Sequence, residues 1–286
     1  MERSTSVPTR PEWTQVMGNL LLRTPYGGQL TKADCPEQGS DEAKDMEGLD
    51  YRGLVGCLLY ISKQTRPDIL SIVTTLSRFL DSPGMAHWKA AKRVLRYLSG
   101  TKELALTYRK DKDGIELRGA GDADCAGDID DRRSTTGYLF NVQNGSGAIS
   151  WSSKKQGTVA TSSSEAEYQA LAAAVQEAVY LRSLLTVMGH PPRSATVISE
   201  DNHNQSCMKI AHNPVMQKRS KHIDTKFHFI REKVEDTTVE LTYCSTGDMV
   251  ADALTKGLAR TKLEQHRRTL LGTSLDKDEV HPEGGC

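Results

Sequence analysis

The 286-residue chain carries 37 Lys+Arg against 37 Asp+Glu, a formal net charge of zero, which excludes nucleic-acid binding through bulk positive charge and leaves only local patches for it. Hydrophobic residues make up 37% and charged residues 26%, enough for a soluble core in one large or two ordinary domains. The six cysteines (Cys35, Cys57, Cys125, Cys207, Cys244 and Cys286) form no CxxC pair and no zinc-spaced cluster, so reduced thiols in an intracellular compartment, cytoplasmic or nuclear, are expected.

Residues 1–45 recur in Pro and Gly (Pro8, Pro11, Pro25, Gly27, Gly28) and turn acidic from Glu37 to Asp45, which predicts a poorly ordered N-terminal segment. Residues 46–103 change character. Tyr51 to Ser62 and Asp68 to Leu80 hold apolar residues at helical spacing. Thr65-Arg66-Pro67-Asp68 reads as a break followed by a new helix start, and Asp81-Ser82-Pro83-Gly84 as a stop. The longest apolar run, Leu54 to Ile61, is far too short to cross a bilayer, and polar residues follow Met1-Glu2-Arg3; neither a membrane partner nor a secretory signal is expected.

Residues 86–98 read as an amphipathic helix with Trp88, Ala91, Leu95 and Leu98 on one side. Lys89, Lys92, Arg93 and Arg96 recur at i, i+3, i+4 and i+7 on another. Such a stripe is usually a solvated face. Here no acidic residue offsets it within the helix, and Lys102, Arg109 and Lys110 follow, which makes it a candidate phosphate contact.

From 104 the pattern turns to strands. Leu104 to Arg109 and Ile115 to Gly121 flank an Asp113-Gly114 turn. The acidic stretch Gly121-Asp122-Ala123-Asp124-Cys125-Ala126-Gly127 follows. Ser134 to Val142 and Ala148 to Ser152 are two further strands, and the short connections predict an antiparallel meander. A long helix over 162–188 opens on overlapping capping boxes, Ser162 to Glu165 and Ser164 to Glu167. Then come a strand over 195–199, a short helix over 204–211, a basic run over 217–222, a helix over 223–234, a strand over 237–243 and a last helix over 248–258. Residues 261–286 read as a polar tail.

Three carboxylate sites fall at strand ends or helix starts: Asp122, Glu165/Glu167 and Asp201; Asp252 adds a fourth. Adjacent strands ending in Asp122 and Asp201 would bring those groups to one edge of a mixed sheet, and a helix across that edge would add a Glu from its first turn. Spacing leaves Glu165 and Glu167 both open, and Asp124, beside glycines, reads as a loop group. All-oxygen donors suit two Mg²⁺ or Mn²⁺ ions. Four carboxylates around two such ions describe a two-metal phosphodiester hydrolase.

Six stretches together resemble the ribonuclease H domain of copia-type retrotransposon Pol polyproteins. They are Gly121 to Asp128, Asp131 to Tyr138, Ile149 to Gln156, Ser163 to Tyr168, Lys221 to Asp224 and Ala251-Asp252-Ala253-Leu254-Thr255-Lys256. Upstream, Tyr51 to Tyr60, Thr65 to Ile69 and His87 to Leu98 resemble the thumb and connection after a polymerase palm. The resemblance implies an α/β fold: a ribonuclease H-like mixed five-stranded sheet over 104–260, flanked by helices and preceded by a small, mainly helical segment over 46–103. It implies Asp122, Glu167, Asp201 and Asp252 as metal-binding catalytic residues, with Glu165 left as the capping carboxylate. The implied activity is endonucleolytic cleavage of the RNA strand of RNA–DNA hybrids, with two Mg²⁺ (or Mn²⁺) ions as cofactors. Lys154 and Lys155 join the Lys89/Lys92/Arg93/Arg96 stripe as backbone-contact candidates, and the implied partners are the hybrid and the palm and fingers of the parent polyprotein.

The chain departs from the family pattern in places. No Tyr/Phe-x-Asp-Asp polymerase motif occurs, Cys125 stands where Trp is frequent, His203 interrupts the run after Asp201, and no His lies between Tyr243 and Asp252. The alternative reading is an inactive retrotransposon remnant or nucleic-acid-binding module.

Overall fold

The computed structural model describes residues 22–26, 28–109, 115–142, 145–201 and 221–272, the first four of the last range by main chain only. The Asp111–Gly114 turn, the 204–211 helix, most of the basic run before it reaches 221 and the tail from 273 lie outside these residues.

Helices α1 (Asp41–Glu47), α2 (Tyr51–Gln64), α3 (Leu70–Leu76) and α4 (Met85–Gly100) form the first part. Tyr51, Val55, Leu58, Ile72, Val73, Leu76, Ala91, Val94 and Tyr97 meet in its core. A fully buried Val, Leu or Ile side chain among these contributes roughly 1.5–3 kcal/mol. Within the segment predicted to be poorly ordered, α1 is a correction. Ser40 Oγ caps it by accepting the Ala43 N–H at 3.2 Å, and Met46 is buried. One cap and one anchor suffice where the mean composition is polar.

The second part is one five-stranded sheet in the order β3-β2-β1-β4-β5, made of β1 (Arg118–Asp124), β2 (Thr135–Asn141), β3 (Ala148–Lys155), β4 (Thr196–Asp201) and β5 (Val239–Cys244). β1, β2 and β3 pair antiparallel, as the short turns predict, while β4 lies parallel to β1 and β5 parallel to β4. α5 (Ser163–Val187) carries the crossover from β3 to β4, and α6 (Lys221–Glu235) lies between β4 and β5 in sequence. α5 is long and apolar enough to pass for a membrane span by length and composition. Here its Ala166, Ala170, Ala174 and Ala178 are buried, the last two in a core shared with Leu117, just before β1, and with Phe140, Ile198 and Leu241 of the sheet. A Cβ at Gly121 would stand 3.4 Å from that of Ala174, so the small residues on both sides set the close helix–sheet spacing.

The opposite face of the sheet is covered by α3, by α7 (Asp252–Thr255) and by α8 (Arg260–Leu271). Leu70, Ala120, Leu139, Met249, Leu254, Leu263 and Leu270 share that core. α8 corrects the reading of 261–286 as a polar tail. Its apolar anchors Leu263, Leu270 and Leu271 are spread among charged residues, which hides the helical period. The helix expected over 248–258 is only the short α7, because the chain turns at 256–259 before α8 begins. Leu104 to Arg109 is also not a strand. Thr107 N–H reaches Leu271 O at 2.7 Å and Thr107 O accepts from Gly147 N–H at 2.8 Å, so its neighbours are a helix end and a turn rather than a ladder.

Candidate acidic site

The site lies where β1 and β4 run side by side. Their ladder ends at the pair Gly121 and Glu200; one residue on, Asp122 and Asp201 follow in register, on the face opposite the α5 alanines because side chains alternate along a strand. Asp122 pairs across to Gly137 on β2. The absence of a side chain there matters: a Cβ on Gly137 would fall 2.6 Å from Thr255 Cγ2 and 3.0 Å from Leu254 Cβ. α7 therefore closes directly on β2, and Thr255 Oγ1 donates to Asp122 Oδ2.

Asp252 opens α7 and is fully buried. Two lysines hold it. Lys256 Nζ lies 2.7 Å from Oδ1, and Lys262 Nζ of α8 donates to Oδ2 at 2.6 Å. Burial, the Asp252 bond and the charges of Asp122, Asp252 and Asp124 act on Lys256; burial opposes its charge, but the carboxylates prevail and hold it above the usual lysine range. Asp201 accepts from Thr246 Oγ1 at 3.0 Å.

Glu167 stands in the first turns of α5. Burial, then the charges of Asp122 and Asp201, push its carboxyl up to about 7. Burial likewise pushes Asp122 up to about 6, with Asp252 adding to the rise and the Thr255 bond and the Lys256 charge opposing it. The four residues named from sequence thus form one electrostatic group. Glu165 instead caps the helix, its Oε2 accepting from Thr161 N–H at 2.8 Å and Thr161 Oγ1 at 2.6 Å. Asp124, half-buried and raised by burial, folds over Gly127, where a Cβ would collide with its carboxylate.

The carboxylates outnumber the cations among them, and an all-oxygen set of mutually repelling groups fits a hard divalent cation such as Mg²⁺. Among the described residues no three His, Cys, Asp or Glu side chains converge closely enough to hold a metal as they stand. The donor chemistry fits such an ion. A cavity of about 240 Å³ opens beside the group, lined by Tyr26, Arg78, Asp124, Asp128, Thr255 and Lys256 among others.

The basic candidates divide. Lys89 and Lys154 are exposed. Lys92 lies 5.5 Å from the Trp88 ring centre, while Arg93 and Arg96 are half-buried with their Nε atoms enclosed. Lys155 is engaged: it bridges Asp128 and, at 2.8 Å, Asp131. Thr246, Thr255, Lys256 and Lys262 escaped the sequence reading. Thr255 and Lys256 sit three and four residues after Asp252, a spacing that puts them on its helical face; Lys262 had no such signal.

The strand order, with antiparallel β1–β3 and parallel β4 and β5, and the carboxylates gathered at the β1/β4 edge define a ribonuclease H-like domain preceded by a helical segment. The chain belongs to the copia-type retrotransposon Pol polyproteins, of which it is a segment. It is 41% identical over 245 residues to the retrovirus-related Pol polyprotein from transposon TNT 1-94 of Nicotiana tabacum, covering 85% of this chain and 18% of that one. It is 42% identical over 225 residues to the Pol polyprotein from transposon RE2 of Arabidopsis thaliana, covering 77% and 15%. It therefore spans less than a fifth of those relatives. A shorter relative, secreted RxLR effector protein 161 of Plasmopara viticola, is 49% identical over 136 residues, covering 48% of this chain and 94% of that one. Among solved structures, LC11-RNase H1 in complex with an RNA/DNA hybrid is 15% identical, covering 49% of this chain and 94% of that one with a TM-score of 0.36. No protein-family model matches the chain.

Proposed function

We propose that the chain is the RNA–DNA hybrid endonuclease of a retrotransposon reverse transcriptase polyprotein, cutting the RNA strand. The observation that carries this is the grouping of Asp122, Glu167, Asp201 and Asp252, with Asp122 and Glu167 raised by burial and by neighbouring carboxylates. Two Mg²⁺ or Mn²⁺ ions, when bound, supply an activated water and stabilise the leaving 3′ oxygen. Asp122, Glu167, Asp201 and Asp252 would hold them, and Thr255 keeps Asp122 turned toward α7. Exposed Lys89 and Lys154 and the half-buried Lys92, Arg93 and Arg96 supply sequence-neutral contact to phosphates. The 2′-hydroxyls in the shallow minor groove are the label that separates RNA from DNA. The palm and fingers of the parent polyprotein are the proposed protein partners.

A nucleic-acid-binding remnant without nuclease activity is the second reading, favoured by the two lysines already on Asp252. A labelled RNA–DNA hybrid incubated with Mg²⁺ separates the two. The nuclease reading expects cleavage by the wild type and none by Asp122→Asn or Asp201→Asn. Folded wild type that does not cleave supports the remnant, and undiminished cleavage by both variants removes the carboxylate assignment.

A further inference from the structure

We propose that Lys262 and Thr246 are positioning residues that set the spacing of Asp201 and Asp252; the role in catalysis rests on the nuclease reading, while the brace itself does not. A continuous path joins the two carboxylates. Thr246 Oγ1 donates to Asp201 Oδ1 at 3.0 Å. The carbonyl of the same residue accepts from Lys262 Nζ at 2.8 Å, and that ammonium also donates to Asp252 Oδ2 at 2.6 Å. An ammonium has three protons, and this one uses two of them to tie the turn after β5 to the start of α7.

The parts that carry the brace are themselves fixed. Ser245 Oγ donates to Asp248 Oδ2 at 2.7 Å and Asp248 N–H to Ser245 O at 2.9 Å, closing the turn that holds Thr246. Lys262 is anchored by its neighbour Leu263, buried with Leu254 and Met249. With Oδ2 taken by Lys262, Asp252 presents Oδ1 on the side of Lys256, whose charge is shared with Asp122 and Asp124. The terminal torsion of an aspartate is broad, so without Lys262 the carboxyl is held from the Lys256 side alone and the turn at Thr246 loses its tether. Partners of this kind, outside the ligand set but orienting it, typically change metal affinity or activity 10–100-fold.

The test is Mn²⁺ binding to the full chain by calorimetry, in wild type, Lys262→Met, Lys262→Arg and Thr246→Val. We expect Lys262→Met to weaken Mn²⁺ binding about 10–100-fold and Lys262→Arg to recover part of the loss. On a hybrid substrate, kcat should fall with KM nearly unchanged. Urea unfolding without metal supplies a second arm. The Lys262→Met and Thr246→Val effects should be less than additive, because each breaks the same path. Mn²⁺ affinity within twofold of wild type in Lys262→Met overturns the positioning role, and additive unfolding effects overturn the brace. Wild type that neither binds Mn²⁺ nor cleaves removes the nuclease reading and the catalytic role with it, and the unfolding arm still decides the brace.

Discussion

Asp68 and Asp252 are both withdrawn from water, and they sit in opposite kinds of company. Asp68, in the helical part, takes a bidentate pair from Arg66 at 2.9 and 2.7 Å and the Tyr97 hydroxyl at 2.6 Å. Arg66 also reaches Thr101, and Arg267 of α8 reaches Tyr97 Oη at 3.2 Å. One negative charge meets its match, every bond closes, and the cluster ties the helical part to the last helix. Asp252 has two lysines, yet it stands with Asp122, Glu167 and Asp201, and the carboxylates outnumber the cations. A buried charge that is neutralised holds a fold together. A surplus of like charge is a cost to the fold, and that cost is what makes this group the candidate functional site.

Substitution should separate these two cases. Asp122→Asn is expected to lower hybrid cleavage at least about a thousandfold, or roughly 4 kcal/mol of barrier. It should leave the urea midpoint no lower than wild type, since one repelling charge is gone. Asp68→Ala should do the reverse: it leaves Arg66 buried without its partner, a loss of about 3–5 kcal/mol in urea unfolding, with cleavage per folded molecule largely kept. Gly137→Ala drives a Cβ into Thr255 and Leu254, and about 1–3 kcal/mol of overpacking is expected, together with reduced cleavage as Thr255 is pushed off Asp122.

The smallest effect concerns acid. His87 is buried, stacks on Phe79 at 4.1 Å, and its Nδ1 accepts the Gly84 N–H at 2.9 Å. Burial lowers its pKa, with Asp34, a backbone bond at Thr31, Glu42 and Asp130 pulling the other way. A folded-state pKa below the unfolded value near 6.5 means that stability is full above that pH and declines as pH falls below it. The helical part should therefore lose stability as the pH falls from 7 to 5.5. His87→Asn, which keeps an acceptor for Gly84 and does not titrate, should flatten that loss in a pH series of thermal melts.

The sheet was legible because its strands alternate, its turns are short and α5 announces its start with two capping boxes. Asp122, Asp201 and Asp252 were legible because strand ends and a helix start deliver them, whereas the choice of Glu167 over Glu165 came from the resemblance alone. What stayed hidden was tertiary. Nothing near Lys262 in sequence reveals that α8 folds back to reach Asp252, and the Thr65-Arg66-Pro67-Asp68 stretch reads as a helix boundary until Tyr97 and Thr101 close on it. The basic stripe on α4 was visible as a pattern, but Lys155 looked free until Asp128 and Asp131 were seen beside it.

The central claim is that the surplus carboxylates form a divalent-cation site and the matched pair does not. Its most direct test is thermal unfolding with increasing Mn²⁺. A cation bound by the folded state alone raises stability by RT ln(1 + [L]/Kd), about 2.7 kcal/mol at a hundredfold excess over Kd. The account predicts a rising Tm for wild type and a flat one for Asp201→Asn; equal rises in the two proteins, or no rise in wild type, would contradict it.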